Sequence, residues 1–261
     1  MRIDSLLFVH GWATDKWVWE PIASAFKGID VANMNLPGHG GAEPWDSPTL
    51  EPAVRAIERQ TARMSGKIIG IGWSLGAQAL IASALENVDK FTALILVGAT
   101  PSFVVKEDFP WAQSRALVKR MLLDMRKNPG ETIERFYPLN FTETEHGNEV
   151  KGFLKRYRYP GPISCDGSMP GCFPIFKYDE ITEALVALFS TDLRARLNEL
   201  DMPILIIHGK MDGIVPVGAG NYLASAIKGA CLKVYENAGH APFVTETERF
   251  ERTIRKFLDG L

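Results

Sequence analysis

Residues 67–86, KIIGIGWSLGAQALIASALE, carry the clearest structural pattern of this chain. Their first part is a short apolar run that predicts a buried strand, and the alanine- and leucine-rich part after it predicts a buried helix. Between them lies Gly72-Trp73-Ser74-Leu75-Gly76, a G-x-S-x-G pattern in the strand-to-helix context that this motif requires. The two glycines leave space for neighbouring backbone, so we predict that Ser74 stands clear of the sheet on a strained turn.

Ser74 is a candidate nucleophile in this position. The helix that follows it presents unpaired N–H groups and the positive end of its dipole, which favour developing negative charge. A serine hydroxyl is a weak nucleophile, and it requires a base whose pKa lies near neutrality. The rest of the sequence must therefore supply a histidine and a carboxylate.

Two residues far along the chain meet this requirement. His240 is the one histidine of five that lies in a loop directly after the last predicted strand, residues 232–235. Asp212 follows the preceding strand, residues 204–208, where it can hold the imidazole tautomer and stabilise the cation. The order Ser74, Asp212, His240 is the order expected when the nucleophile lies on a strand-to-helix turn. We predict that these three residues form a catalytic triad.

Acyl transfer also needs two backbone donors aimed at the oxyanion. The N–H of Leu75 follows the nucleophile, and the segment His10-Gly11-Trp12 after the first strand places the N–H of Trp12 as the second donor. No step of this chemistry needs a metal or a cofactor, and we expect neither. The remaining histidines have other expected roles: His10 braces this loop, His39 stabilises a turn, His208 lies in the core or beside the acid, and His146 is exposed.

Strand and helix patterns alternate along most of the chain, which predicts an α/β fold with a mostly parallel central sheet flanked by helices. Apolar runs predict strands at residues 5–9, 31–35, 67–72, 93–97, 204–208 and 232–235. Helix-length stretches cover residues 19–26, 50–64, 75–86, 218–227 and 246–258.

The alternation stops between about residue 100 and residue 191, where only helices are predicted. Three apolar stripes at helical spacing support this: Leu117, Met121 and Met125; Val150, Phe153, Leu154 and Tyr157; Ile181, Leu185 and Leu188. Residues 160–174, rich in proline and glycine, predict an irregular loop. We interpret residues 100–191 as a helical cap inserted into a core of residues 1–99 and 192–261. A second helical layer with no functional role is the alternative.

The composition narrows the possible partners and the compartment. The chain has 261 residues and a formal net charge of −2, which does not support nucleic acid as a partner. It has neither a signal-peptide pattern nor an apolar run of about 20 residues, so we expect no membrane partner and a cytoplasmic protein. The low, odd number of cysteines favours reduced thiols, with a disulfide between Cys165 and Cys172 as the alternative.

The predicted cap differs in charge from the rest of the chain. Residues 106–158 carry eleven basic and eight acidic side chains, a net charge of +3, which leaves −5 for the remainder of the −2 total. A basic cap suits an acidic partner, such as a carrier protein or its phosphopantetheine. A solvated helix face of mixed charge is the alternative.

Six short motifs are spread over essentially the full chain. They are His10-Gly11-Trp12, Gly72-Trp73-Ser74-Leu75-Gly76, Pro101-Ser102-Phe103, Thr132-Ile133-Glu134-Arg135-Phe136, Asp212-Gly213-Ile214-Val215-Pro216 and Gly239-His240-Ala241-Pro242-Phe243. These motifs resemble those of the α/β-hydrolase superfamily, and in particular those of the pimeloyl-acyl-carrier-protein methyl ester esterases of biotin synthesis. The resemblance implies a serine esterase without a cofactor. It also implies that Arg135 contacts the carrier protein and that Phe136 lines the acyl channel.

The leading hypothesis is therefore a serine carboxylesterase that cleaves the methyl ester of a carrier-linked pimeloyl chain. The residues expected to bind the acyl chain are aromatic, and core packing is the alternative role for them: Trp12, Trp73, Phe103 and Phe136. A generalist short-chain esterase, a lipase or a thioesterase is the nearest alternative function. A C–C bond hydrolase or cofactor-free haloperoxidase could use the same triad, and a hydrolase-like ligand receptor could retain it.

Overall fold

The computed structural model describes residues 3–157 and 177–261 of the chain. At its centre lies a parallel sheet whose described strands are β1 Ser5–Val9, β2 Asp30–Met34, β3 Ile68–Trp73, β4 Ala93–Val97, β5 Ile204–Gly209 and β6 Cys231–Tyr235. Their order across the sheet is β2-β1-β3-β4-β5-β6. The inner strands β1, β3, β4 and β5 are buried throughout, and the edge strands β2 and β6 are partly exposed.

All six predicted strands are confirmed, each within one residue at either end. Continuous apolar runs such as ALILV form strands because helices cover both faces of a parallel sheet. The helices outside the predicted cap are α1 Glu20–Ala23, α2 Glu51–Thr61, α3 Leu75–Glu86, α8 Val217–Ala226, α9 Pro242–Thr245 and α10 Thr247–Asp259. The helix predicted at residues 19–26 is shorter, because a 3-10 helix, Lys16–Trp19, precedes α1.

The described residues between β4 and β5 form helices, turns and isolated bridges. The helices are α4 Arg115–Lys127, α5 Pro129–Phe136, α6 Asn148–Tyr157 and α7 Tyr178–Ser190, with a 3-10 helix at Tyr137–Asn140. The two ends of this region meet, because Ser102 and Asp192 form an antiparallel bridge and the Leu193 N–H donates to the Pro101 carbonyl at 2.9 Å. Whether residues 100–191 act as a cap stays a prediction.

Two of the three predicted apolar stripes are confirmed. Val150, Phe153 and Tyr157 of α6 are buried, as are the three stripe residues of α7. The stripe proposed for α4 is wrong at Leu117, whose side chain is 52% exposed. Met125 of that stripe is buried as predicted and Met121 is partly buried, but Val118 takes the place of Leu117 in the buried face.

Some sequence predictions fall on residues that the structure does not describe. The Pro/Gly-rich loop and the pair Cys165 and Cys172 lie outside the described residues, and Cys231 is a free, exposed thiol. Within residues 3–157 and 177–261, no helix combines the length and apolar character needed to cross a bilayer.

Candidate active site

The turn between β3 and α3 has the strained geometry that the glycine pattern predicts. Ser74 has φ 54° and ψ −114°, a conformation that costs a non-glycine residue about 1–3 kcal/mol. Its N–H donates to the Val97 carbonyl of β4 at 2.9 Å, which holds the turn against the sheet. A Cβ on Gly72 would lie 2.7 Å from the Ala77 nitrogen, and one on Gly76 would collide with carbonyls at and just after the end of β1. The glycines are therefore needed for this close approach.

Asp212 lies in the loop after β5 and is buried. Its Oδ1 accepts the N–H groups of Ile214 at 2.9 Å and Val215 at 2.8 Å. Its Oδ2 lies 2.6 Å from His240 Nδ1 and 3.4 Å from His208 Nε2. Burial alone would raise the pKa of Asp212, but the charge of His240 and hydrogen bonds from both imidazoles hold it well below its usual range. The carboxylate is therefore ionised at neutral pH.

His240 lies in the loop after β6 and is held from three directions. Its Nδ1–H donates to Asp212 Oδ2, its main-chain N–H donates to the Asn140 carbonyl at 2.9 Å, and its carbonyl accepts the Trp73 indole N–H at 2.9 Å. Among the described residues its Nε2 has no hydrogen-bond partner. Because Nδ1 is committed to the carboxylate, Nε2 is the nitrogen available to act as a base.

The nucleophile candidate and the base candidate both contact the end of β4. Val97 accepts the Ser74 N–H, and the next residue, Gly98, packs against the His240 imidazole. A Cβ on Gly98 would lie 2.9 Å from the ring, so this position must stay small. No hydrogen bond between Ser74 and His240 is formed within the described part of the chain. The structure thus joins the acid to the base, and the role of Ser74 in the triad stays a prediction.

The loop after β1 is braced by two buried histidines. His10 Nε2 accepts the Leu36 N–H at 2.9 Å, and His39 Nε2 accepts the Ala13 N–H at 3.1 Å. The second bond holds Ala13 at φ 55°, a conformation that few non-glycine residues adopt. The structural roles expected for His10 and His39 are confirmed.

Burial also fixes the charge of this histidine pair. It lowers the pKa of His10 to about 4, and burial beside His10 lowers the pKa of His39 to about 3. Both rings are therefore neutral at pH 7 and can accept hydrogen bonds. The expectations for the other two are also confirmed, since His208 is buried beside Asp212 and His146 is exposed.

The two predicted oxyanion donors lie at the ends of neighbouring strands. Trp12 follows β1, and Leu75 begins α3 after β3. Neither backbone N–H donates to an acceptor among residues 3–157 and 177–261. The Trp12 indole N–H donates to the Ile181 carbonyl of α7 at 2.7 Å, and its ring meets Phe136 of α5 edge-on at 5.0 Å. The oxyanion role of both amides stays a prediction.

The other predicted substrate residues have packing contacts of their own. Trp73 is 1% exposed and its ring lies 5.6 Å from the His240 ring. Phe103 is buried against Phe189 of α7, at a centroid distance of 5.0 Å. Three cavities of about 950, 550 and 430 Å³ lie among the described residues, and none of them is lined by the four predicted aromatic residues. Their contact with an acyl chain stays a prediction.

Arg135 lies on the surface of α5, where its side chain is 58% exposed. It forms an ion pair with Glu131 at 3.1 Å and approaches Asp124 at 3.9 Å. A guanidinium in this position is accessible to a partner, although two carboxylates already share its charge. The Arg135 side chain is thus exposed enough to reach a carrier protein, and this contact stays a prediction.

One residue at the site had no sequence signal. Glu145 accepts hydrogen bonds from the N–H groups of Gly239 at 2.9 Å and Thr142 at 2.8 Å, and from the Thr245 hydroxyl at 2.6 Å. The bond to Gly239 spans 94 positions of sequence. No sequence motif connects Glu145 with Gly239, so only the fold reveals the contact.

Comparisons with known proteins agree with this architecture. Residues 4–247 match the family described as the alpha/beta hydrolase fold. The chain is similar to a pimeloyl-[acyl-carrier protein] methyl ester esterase of Nitrosomonas europaea, 28% identical over 246 residues (94% of this chain and 92% of the relative). It is also similar to one of Aromatoleum aromaticum, 28% identical over 254 residues (95% of each chain).

Solved structures share the fold at lower identity. An esterase from Exiguobacterium antarcticum superposes with a TM-score of 0.85 at 20% identity, covering 98% of this chain and 92% of that one. An enol-lactonase from Burkholderia xenovorans LB400 superposes with a TM-score of 0.82 at 18% identity, covering 99% and 92%. The family match, the parallel sheet and the strained serine turn lead to one conclusion: the chain belongs to the α/β-hydrolase family, as its motifs predict.

Proposed function

We propose that this protein is a serine carboxylesterase with Ser74, His240 and Asp212 as its triad. The observation that carries the proposal is the 2.6 Å bond from His240 Nδ1 to the buried Asp212 carboxylate, which leaves Nε2 unpartnered among the described residues. The relatives named above support it, since both are named as esterases.

The proposed reaction follows from these roles. Ser74 Oγ attacks the ester carbonyl while His240 Nε2 takes its proton, and Asp212 stabilises the imidazolium. The N–H groups of Trp12 and Leu75 hold the oxyanion. The imidazolium then protonates the departing alcohol. Water, activated by the neutral imidazole, attacks the acyl-enzyme and releases the acid and Ser74.

The substrate we propose is the methyl ester of a pimeloyl chain carried by an acyl carrier protein, in biotin synthesis. The names of the curated relatives and the shared motifs support this choice. In this proposal the apolar chain lies against Trp12, Trp73, Phe103 and Phe136. A generalist short-chain esterase would need only the triad, so the two functions differ in how strongly activity depends on the carrier.

Helix α4 offers a surface on which an acidic carrier could dock. Leu117 and Leu123 are each 52% exposed there, and the nearby cations form no ion pair with the described residues. These cations are Arg115, Lys119, Arg126 and Lys127. Exposed apolar side chains on a helix that also carries exposed positive charge suit an acidic protein partner. Together with Arg135, this surface supports a carrier-linked substrate.

We further propose that residues 100–191 serve as a cap over the site. Two contacts support this: the Trp12 indole donates to Ile181 of α7, and the Asn140 carbonyl accepts the His240 N–H. The region thus touches both the predicted oxyanion loop and the loop of the base. The cytoplasmic location expected from the sequence stays a prediction.

The deciding experiment measures methanol release from the carrier-linked pimeloyl methyl ester and, separately, hydrolysis of a free p-nitrophenyl ester. We expect both reactions in the wild type and neither in Ser74→Ala, with unchanged circular dichroism. Growth of a biotin-requiring strain that lacks the methyl ester esterase should depend on Ser74 in the same way. Retained hydrolysis in Ser74→Ala would refute the nucleophile. Turnover of the free ester without the carrier-linked one would favour the generalist esterase.

A further inference from the structure

The segment at residues 140–145 begins at the last residue of the 3-10 helix and precedes α6, and it is hydrogen-bonded to the loop that carries the proposed base. The Asn140 carbonyl accepts the His240 N–H, and Glu145 Oε2 accepts the N–H of the preceding residue, Gly239. Glu145 Oε1 accepts a hydrogen bond from the hydroxyl of Thr245, the last residue of α9, which follows the same loop. Three bonds therefore connect this segment to residues on both sides of the imidazole.

The fit between the two segments is close. A Cβ on Gly239 would lie 2.7 Å from the Asn140 carbonyl oxygen and 3.0 Å from Glu145 Oε2. The loop of the base can therefore approach this segment so closely only with glycine at position 239. Glu145 itself is fixed by the Thr142 N–H, so it is a rigid support and not a free surface group.

The carboxylate of Glu145 supports a part of the loop that the α/β core does not hold. Asp212 holds the imidazole at Nδ1, and Trp73 holds the carbonyl of His240. The N–H groups of Gly239 and His240 are instead held from the region between β4 and β5. Hydrogen bonds from N–H groups to a carboxylate are roughly twice as strong as those between neutral groups. Of the two hydrogen bonds that this region forms with the N–H groups of Gly239 and His240, the one to the Glu145 carboxylate is therefore the stronger.

We propose that Glu145 is a positioning residue for His240: by fixing Gly239 and Thr245 it holds Nε2 where it can take the proton of Ser74. This inference rests on the proposed function, because it assigns His240 as the base. Glu145 does not touch the reacting atoms, and it acts only through the loop.

The chemistry of the site makes glutamine a matched test of this role. One oxygen of glutamine can accept the Gly239 and Thr142 N–H groups, and its NH₂ can donate to the Thr245 hydroxyl. Glu145→Gln therefore keeps all three contacts, and Glu145→Ala removes them all. A displacement of about 1 Å at a catalytic group can cost about 100-fold in rate. We expect kcat to fall about 10- to 100-fold in Glu145→Ala, on the same principle.

The experiment measures kcat and KM on a p-nitrophenyl ester, well below the unfolding temperature, for the wild type, Glu145→Ala and Glu145→Gln. Glu143→Ala is the control, because Glu143 is exposed in the same segment and its carboxylate accepts no hydrogen bond from the described residues. We expect the loss in Glu145→Ala to fall on kcat with KM nearly unchanged, recovery in Glu145→Gln, and no change in Glu143→Ala. Equal kcat in Glu145→Ala and the wild type would overturn the proposal, as would a glutamine variant as slow as the alanine one.

A second measurement keeps the proposal testable without turnover. The proton between His240 Nδ1 and Asp212 should give a far-downfield proton NMR signal in the wild type, in Ser74→Ala and in Glu145→Gln. We expect this signal to broaden or vanish in Glu145→Ala, and its persistence there would contradict the positioning role. If Glu145→Ala does not fold, Thr245→Val, which removes one contact, should show an intermediate loss. If the wild type shows this signal but hydrolyses no ester, the proposed function is refuted. The positioning of His240 by Glu145 is then still tested by comparing the signal in the wild type and in Glu145→Ala.

Discussion

His208 lies against the buried Asp212 carboxylate, with its Nε2 atom 3.4 Å from Oδ2. Its Nε2–H donates to the Val215 carbonyl at 2.8 Å, and its Nδ1 faces Gly220, where a Cβ would lie 2.8 Å away. The ring therefore has one possible donor direction, toward the loop that carries Asp212. His208 thus contacts the same carboxylate oxygen as His240 and holds the loop of the acid through Val215.

Replacing His208 by alanine should loosen this loop. The change leaves the Val215 carbonyl buried without its donor, which costs about 1–3 kcal/mol of unfolding free energy. We expect kcat to fall about tenfold, because Asp212 loses a contact that orients it. Urea unfolding and ester hydrolysis measure the two effects. His146→Ala, at an exposed position, is the control, and equal values for the two variants would contradict the role of His208.

Gly98→Ala tests the contact between the end of β4 and the base. Gly98 has φ 53° and its added Cβ would lie 2.9 Å from the His240 ring, so the imidazole must move. We expect kcat to fall about 100-fold. The strain of the positive φ also lowers the unfolding free energy by about 1–2 kcal/mol.

Gly41→Ala separates these two effects. Gly41 has φ 77° and nothing within 4 Å of an added Cβ, so it shares the backbone strain without the clash. We expect Gly41→Ala to lose stability and keep its kcat. If Gly98→Ala behaves in the same way, the imidazole is not in contact with residue 98 during catalysis.

Sequence patterns could predict the sheet because each strand is a local feature. The buried strands form continuous apolar runs, and the residues that follow β3, β5 and β6 belong to recognisable motifs. The parallel arrangement then brings their carboxyl ends to one edge of the sheet, so the sequence alone predicts the pairing of Asp212 with His240.

Other features could not be predicted because they depend on contacts across the fold. On α4, Leu117 and Val118 begin two overlapping apolar stripes, and periodicity alone does not tell which one faces the core. Gly98 and Glu145 matter only through their contact with the loop of His240, which is formed from distant sequence. Tertiary packing, and not local pattern, decides these positions.

Arg135→Glu tests the proposed carrier contact. If an acidic carrier docks on this side, the change should lower kcat/KM for the carrier-linked ester about tenfold or more at low salt and leave the free ester unaffected. Arg252→Glu on α10 is a matched control, because Arg252 is also exposed and pairs with a glutamate four positions away. The difference should shrink as salt rises. Equal losses on both substrates would remove the role of Arg135.

The buried pair His10 and His39 predicts how stability depends on pH. Both folded-state pKa values are lowered by burial, to about 4 and about 3, whereas unfolded histidine titrates near pH 6.5. As the pH falls below about 6.5 the unfolded chain takes up protons that the folded protein does not, so stability is lost on acidification. A fall in pH from 7.5 to 5 should therefore lower the unfolding free energy by about 2 kcal/mol for each of the two rings. The contribution of Asp212 is lost only at lower pH, because its folded pKa is depressed. Urea unfolding at both pH values measures this loss.

The variant His39→Gln tests whether His39 is a source of this pH dependence. Glutamine keeps an acceptor for the Ala13 N–H but does not titrate, so we expect the loss of unfolding free energy on acidification to be smaller by about 2 kcal/mol. His146→Gln should match the wild type, and an undiminished loss in His39→Gln would show that His39 is not the source.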